Sequence, residues 1–179
     1  MQFKVKDIGE DGVDIDLAVP SAWLAEACRD LDLGPHPAPL SFKGRLEQTG
    51  DDYLLRGHLG GELSIPCGRC LEPAKFPLDV DVSVIYVERE GEPEEDEAEL
   101  DEDSLAAPDV LGFSDGVIDL GPELRDEIFL AVPVSVHCRE DCLGLCPVCG
   151  GNRNENPCDC IDRDRQAQSK FASLAKLKT

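Results

Sequence analysis

The clustering of its cysteines limits how this chain can fold more than any other feature. Eight of its nine cysteines fall in two short stretches. The first is Cys67-Gly68-Arg69-Cys70. The second runs through Cys138, Cys142, Cys146, Cys149, Cys158 and Cys160. A thiol pair two residues apart supplies half of a tetrahedral metal site. Glycine after the Cys146-Pro147-Val148-Cys149 pair suits the left-handed turn that aims backbone N–H groups at the sulfurs. Cys158-Asp159-Cys160 returns a second pair after a Gly/Asn-rich turn. Cys146, Cys149, Cys158 and Cys160 therefore read as one zinc-ribbon-like site.

The large apolar side chains between Cys138 and Cys160 are Leu143, Leu145 and Val148. Burying all three contributes roughly 5–9 kcal/mol, well short of the cost of ordering the backbone there. A structural zinc adds about 10–16 kcal/mol, so the segment is expected to need metal to fold. Cys67 and Cys70 require two further ligands, and Cys138 and Cys142 are the unassigned pair. Alternatives stay open at this point. The six C-terminal thiols could hold metal alone, or Cys67/Cys70 could act in thiol–disulfide exchange. An iron–sulfur cluster and reduced, unliganded thiols are further readings. His137 is a possible replacement ligand, read more simply as a surface neighbour of the site, and Cys28 as a small buried hydrophobe.

The 179 residues carry a net charge of −21. Glu88–Asp103 holds eleven carboxylates and one arginine, yet the rest of the chain is still at −11. An acidic surface disfavours diffuse binding to phosphate backbones. Nucleic-acid contact must then be local or made through a basic partner. No segment is long and apolar enough for a signal core or membrane span, so the expected location is the cytoplasm, where clustered thiols more often bind metal than form disulfides.

Hydrophobic periodicity gives an α+β fold: a mainly antiparallel β-sheet body, two short helices and the C-terminal zinc-ribbon-like module. Phe3–Ile8 and Val13–Val19 alternate around turn residues and predict a hairpin. Ser21 is placed to cap a helix reaching Asp32. Leu40–Leu46, Tyr53–Ile65 and Ala74–Val87 read as strands, with the first CxxC at a hairpin tip. Pro122 opens a second helix that Pro133 stops. The expected organisation is a β body with the hairpin CxxC over 1–87, a disordered acidic linker over 88–110 and a strand and helix returning to the body over 111–135. The cysteine-rich module follows over 136–160, and a basic amphipathic tail over 161–179. No Ser/His/Asp set, phosphate loop or paired-carboxylate frame stands out.

Several motifs occur together: PCGRCLEP over 66–73, IDLGPELRDEIFLAVP over 118–133, and CLGLCPVCG over 142–150 with Asn152, Asn154 and Cys158-Asp159-Cys160. Asp164-Arg165, Phe171, Leu174 and Leu177 follow in the tail. Over about residues 40–179 the chain resembles the YceD family of large ribosomal RNA subunit accumulation proteins. The resemblance implies a non-enzymatic role in accumulating or processing 23S ribosomal RNA, hence in assembly of the large subunit, in a bacterium. Expected partners are that RNA or a basic ribosomal or assembly protein. Arg69, Arg153, Arg163, Arg165 and Lys170, with Lys176 and Lys178, are candidate contacts. The tail from Ile161 carries a net +3, and its plain alternative is a helix docked on the body. Two other functions compete: a redox protein using Cys67/Cys70, and a regulator sensing zinc or oxidation.

Overall fold

Alternation of apolar and polar residues places the strands. A computed structural model describes residues 1–9, 11–33, 38–89 and 109–160. Strands β2 (Val13–Val19), β3 (Leu40–Thr49), β4 (Asp52–Pro66), β5 (Pro73–Glu88) and β6 (Asp109–Phe113) form one sheet in that order. β1 (Gln2–Lys4) and β7 (Val117–Asp119) form a second, two-stranded sheet. The helices are α1 (Ser21–Ala27) and α2 (Gly121–Ala131). The chain divides into two compact units. One is Met1–Leu63 with Phe76–Val132; the other is Ser64–Lys75 with Pro133–Thr179.

In the first unit β2 and β3 pair antiparallel from Val13↔Leu46 to Val19↔Leu40. β3 and β4 pair antiparallel from Ser41↔Gly60 to Thr49↔Asp52. Gly50, at φ +70°, makes the tight turn between them that a two-residue hairpin loop needs. One face of each strand is buried: Leu40, Phe42 and Leu46 on β3, Leu55, Leu59 and Leu63 on β4, Leu78, Val82, Val84 and Tyr86 on β5. The other face of β5 carries exposed Lys75, Asp79, Asp81 and Ser83. On that face His58 lies 2.9 Å from Asp79 and 3.1 Å from Asp81, a polar contact on the surface. Leu24, Cys28, Leu124 and Ile128 of the helical segments are also fully buried.

The ring of Phe42 lies over a cross-strand pair of glycines, Gly44↔Gly57. A Cβ at Gly44 or Gly57 would come within 2.9 or 2.6 Å of the Phe42 Cζ. The two missing side chains make room for the ring and for the facing backbone, since the same Cβ atoms would lie 2.6 Å from Arg56 O and 2.8 Å from Lys43 O.

Four local expectations differ from the structure. The 3–8/13–19 hairpin does not form: β1 pairs antiparallel with β7, Gln2↔Asp119 through Lys4↔Val117. Val5–Asp7 is a 3₁₀ turn, and the alternation of β2 is used against β3. Periodicity reports a buried face but not the partner strand. The first helix ends at Ala27 and tightens into a 3₁₀ turn over Arg29–Leu31, where Asp32 takes φ +50°. Ser21 is the first helical residue, Pro20 stands at the cap, and no side chain caps that end. Finally, residues 109 and 110 belong to β6 rather than to the acidic linker, and β6 runs parallel to β5, from Val84↔Asp109 to Glu88↔Phe113. Parallel neighbours need a connection of about a dozen residues or more, and the acidic stretch has that length. Residues 90–108 of that stretch, His36 and the tail from 161 lie outside the described residues. Among the described residues no helix is long and apolar enough to cross a membrane.

Candidate metal centres

Two metal-compatible cysteine groups lie in the second unit. The chain turns sharply between β4 and β5: Cys67 N donates to Glu72 O at 2.8 Å and Leu71 N to Cys67 O at 2.9 Å. Cys146–Gly150 makes the same turn, with Gly150 N donating to Cys146 O at 2.8 Å. The residue after each CxxC is left-handed, at φ +64° for Leu71 and +72° for Gly150. Glycine takes that conformation freely. Leucine does so at a cost of about 1–2 kcal/mol, and Leu71 is 65% exposed.

Gly68 N donates to Val136 O and Leu145 N to Arg69 O, both at 2.8 Å. The Arg69 guanidinium donates to the carbonyls of Cys142 at 3.1 Å and Glu140 at 3.3 Å. These bonds bring Cys138 and Cys142 onto the hairpin tip. The Sγ atoms of Cys67, Cys70, Cys138 and Cys142 all lie within 4.8 Å of one another, as do those of Cys146, Cys149, Cys158 and Cys160. Sγ–Sγ distances are 3.9 Å for Cys67/Cys142, 3.6 Å for Cys70/Cys138 and 3.8 Å for Cys149/Cys158. A tetrahedron with metal–sulfur bonds of about 2.3 Å has edges of about 3.8 Å. Disulfide sulfurs would stand about 2.05 Å apart, and all nine cysteines are free.

The electrostatics of each tetrad also favour a cation. Burial works against ionisation of Cys67, but the backbone N–H groups of Cys138, Arg69 and Cys70 outweigh it and bring the thiol down to about 6. The backbone N–H groups of Cys149 and Val148 bring Cys146 to about 6 as well. The Asn154 side chain lowers Cys142. Cys138, though exposed overall, is pushed up by desolvation of its sulfur and by the neighbouring thiols, and Cys160 rises to about 11 beside Cys149 and Cys158. Some thiols of each tetrad are thus ready to be thiolates while their neighbours resist further negative charge. A divalent cation removes that conflict. Each group could hold a metal ion, and four sulfurs suit a thiophilic one.

His137 is exposed, 3.3 Å from the Ser135 hydroxyl, and belongs to neither tetrad. Arg153 is half-buried. Arg163, Arg165, Lys170, Lys176 and Lys178 lie outside the described residues.

A third group, in the first unit, is absent from the sequence reading: Asp109 with Glu123 and Glu127. The available signal was the i, i+4 spacing of the two glutamates on α2. Glu123 is buried, and burial, then Glu127, Asp109 and Asp126, raise it to about 7. The folded state therefore holds this proton more tightly than the unfolded chain. Stability is lost as pH rises from the ordinary carboxylate range through about 7. Relative to wild type, Glu123→Gln should gain roughly 1–3 kcal/mol at pH 8 and nothing near pH 4. Urea unfolding at both pH values measures the difference; equal gains at both would contradict it.

Residues 55–178 match the family model described as large ribosomal RNA subunit accumulation protein YceD. The chain belongs to the YceD family. The match takes in both tetrads. A Zea mays protein named large ribosomal RNA subunit accumulation protein YCED homolog 1, chloroplastic, is 31% identical over 137 residues, 64% of this chain and 46% of that protein. An uncharacterized protein of Mycobacterium tuberculosis is 27% identical over 140 residues, 78% of this chain and 62% of that protein. Bacillus subtilis YlbN, also uncharacterized, is 24% identical over 141 residues, 78% of this chain and 74% of that protein. The chain thus spans less than two thirds of the mycobacterial and maize relatives. No solved structure matches it.

Proposed function

We propose that this chain is a zinc-stabilised, non-enzymatic factor that promotes accumulation or processing of large-subunit (23S) ribosomal RNA during ribosome assembly in the bacterial cytoplasm. The observation that carries the reading is the YceD match over 55–178, which spans both tetrads. In this reading Cys67, Cys70, Cys138 and Cys142 hold one zinc and Cys146, Cys149, Cys158 and Cys160 another. Zinc bound there supplies cross-links between distant segments. Sites closed by four protein ligands leave no open position for substrate, which marks structural rather than catalytic metal.

The net charge of −21 favours a basic partner protein or a local RNA contact over broad phosphate binding. Arg69, Arg153, Arg163, Arg165 and Lys170 are the proposed contacts. The redox alternative is disfavoured because Cys67 and Cys70 are buried at 0% and 3% exposure, and their turn joins two strands instead of opening a helix.

Deleting the gene and profiling ribosomal subunits tests the function. The expected result is a deficit of mature large-subunit RNA with persisting precursor ends. Unchanged large-subunit RNA and precursor ends would refute it.

A further inference from the structure

We propose that the two cysteine tetrads form one coupled metal unit, in which Asn154 transmits occupancy of the second tetrad to Cys142 of the first. The inference rests on the metal reading above and adds a residue and a direction to it.

Asn154 lies between Cys149 and Cys158, inside the loop that the second tetrad closes. Its side chain reaches the first tetrad. Nδ2 donates to the Cys142 Sγ at 3.4 Å. Oδ1 accepts from Leu143 N at 2.8 Å and from the Arg139 guanidinium at 2.7 Å. The second Nδ2 hydrogen goes to Asn152 Oδ1 at 2.9 Å. Two donors and two acceptor positions are all an amide offers, and all four are used. Three of the partners belong to 139–143, around a first-tetrad ligand. The amide therefore holds Cys142 from a loop whose own anchors are ligands of the other tetrad.

The loop itself is held by polar bonds. Asn152 Oδ1 also accepts from Asn154 N at 3.1 Å, Arg153 N donates to Gly144 O at 3.0 Å, and Cys146 N donates to Gly151 O at 2.8 Å. Cys146 is the one side chain from Cys146 to Cys160 that is fully buried. With no other fully buried side chain in it among the described residues, the loop depends on ligation at Cys158 and Cys160 to stay where Asn154 can reach Cys142. Removing a partner that orients a metal ligand typically weakens metal binding about 10–100-fold. Coupling between two binding sites is reciprocal.

The experiment uses the full chain. Zinc stoichiometry by native mass spectrometry and affinity by competition with a chromophoric chelator are measured for wild type, Asn154→Asp, Cys158→Ser and the double variant. Asn154→Asp keeps the shape and both acceptors and loses both donors. Alkylation mapped by peptide in the zinc-loaded protein adds a site-resolved readout. Wild type should bind two zincs. Asn154→Asp should weaken one site about 10–100-fold and expose Cys138 and Cys142 to alkylation while Cys146 and Cys149 stay protected. Cys158→Ser should lose one zinc and weaken the remaining site by a similar factor. The double variant should be no weaker there than Cys158→Ser alone. Two zincs in wild type with an unweakened remaining site in Cys158→Ser, or unchanged affinity in Asn154→Asp, would overturn the coupling. Equal exposure of both tetrads in Asn154→Asp would reduce Asn154 to a general structural residue and also overturn it. No zinc in wild type would instead remove the metal reading itself.

Discussion

Stripping metal with a strong chelator should unfold Ser64–Lys75 and Pro133–Cys160 while the β2–β5 sheet stays folded. Among the described residues, the buried side chains of the second unit are Ile65, Ala74, Val136 and four thiols, those of Cys67, Cys70, Cys142 and Cys146. Four other large aliphatic groups there are outside: Leu71, Leu143 and Val148 are 65%, 55% and 53% exposed, and Val134 is fully so. Burial of Ile65 and Val136 contributes roughly 3–6 kcal/mol, against about 10–16 kcal/mol for one structural zinc. Among the described residues, sulfur makes up more than half of the buried side chains of this unit, and a bound metal would join those sulfurs. Hydrogen exchange checks the expectation. The amides of Gly68, Leu145, Cys146 and Gly150, each bonded to a distant or turn carbonyl, should lose protection on chelation and regain it with zinc. Amides of the β3–β4 ladder should not change. Full protection of the first set after metal removal would refute a metal-dependent fold. Acid should act like the chelator, because protons compete for the thiolates.

Phe42→Ala should destabilise the sheet by about 3–5 kcal/mol, the second-largest effect expected. Phe42 is completely buried. Its ring covers Gly44 and Gly57, where even a methyl group would collide with it. Glycines cannot extend into the space that a deleted ring leaves, so the cavity should persist. Gly57→Val, the opposite change, overpacks the same space and should cost about 1–3 kcal/mol. Combined, the two should cost less than their sum, since Phe42→Ala relieves the ring contact, while the collisions of the new Cβ with Lys43 O and Gly44 Cα stay. Urea midpoints of the three variants measure this. Strict additivity would mean that ring and glycine do not share the space.

Much of the sheet is legible in the sequence because one-sided burial writes itself as alternation. β5 is the clearest case: Leu78, Val82, Val84 and Tyr86 point inward and Asp79, Asp81 and Ser83 outward. The limits of α2 follow from Pro122 and Pro133, which act locally on the backbone. Pairing partners are not local. β1 joins β7 across more than a hundred residues, and three residues carry too little pattern to name a partner. The parallel seating of β6 on β5 was equally hidden, since the signal before it is charge, which describes solvation and not topology. Glu123 escaped because a glutamate on a helix ordinarily faces water, and its burial depends on what packs over it.

For the cysteines the division is sharper. The sequence by itself determines two CxxC turns and the chemistry available to them, because spacing and a following left-handed residue act within a few bonds. It also determines the family motifs and the acidic character of the whole. Only the tertiary structure decides that Cys138 and Cys142 meet Cys67 and Cys70, about seventy residues away. That meeting depends on Gly68, Arg69 and Leu145 hydrogen bonding across the gap. It likewise decides that Asn154, one polar residue among many in a loop, has its amide on the Cys142 sulfur. Ligand type is a property of a residue, whereas ligand partnership is a property of distance in the folded chain.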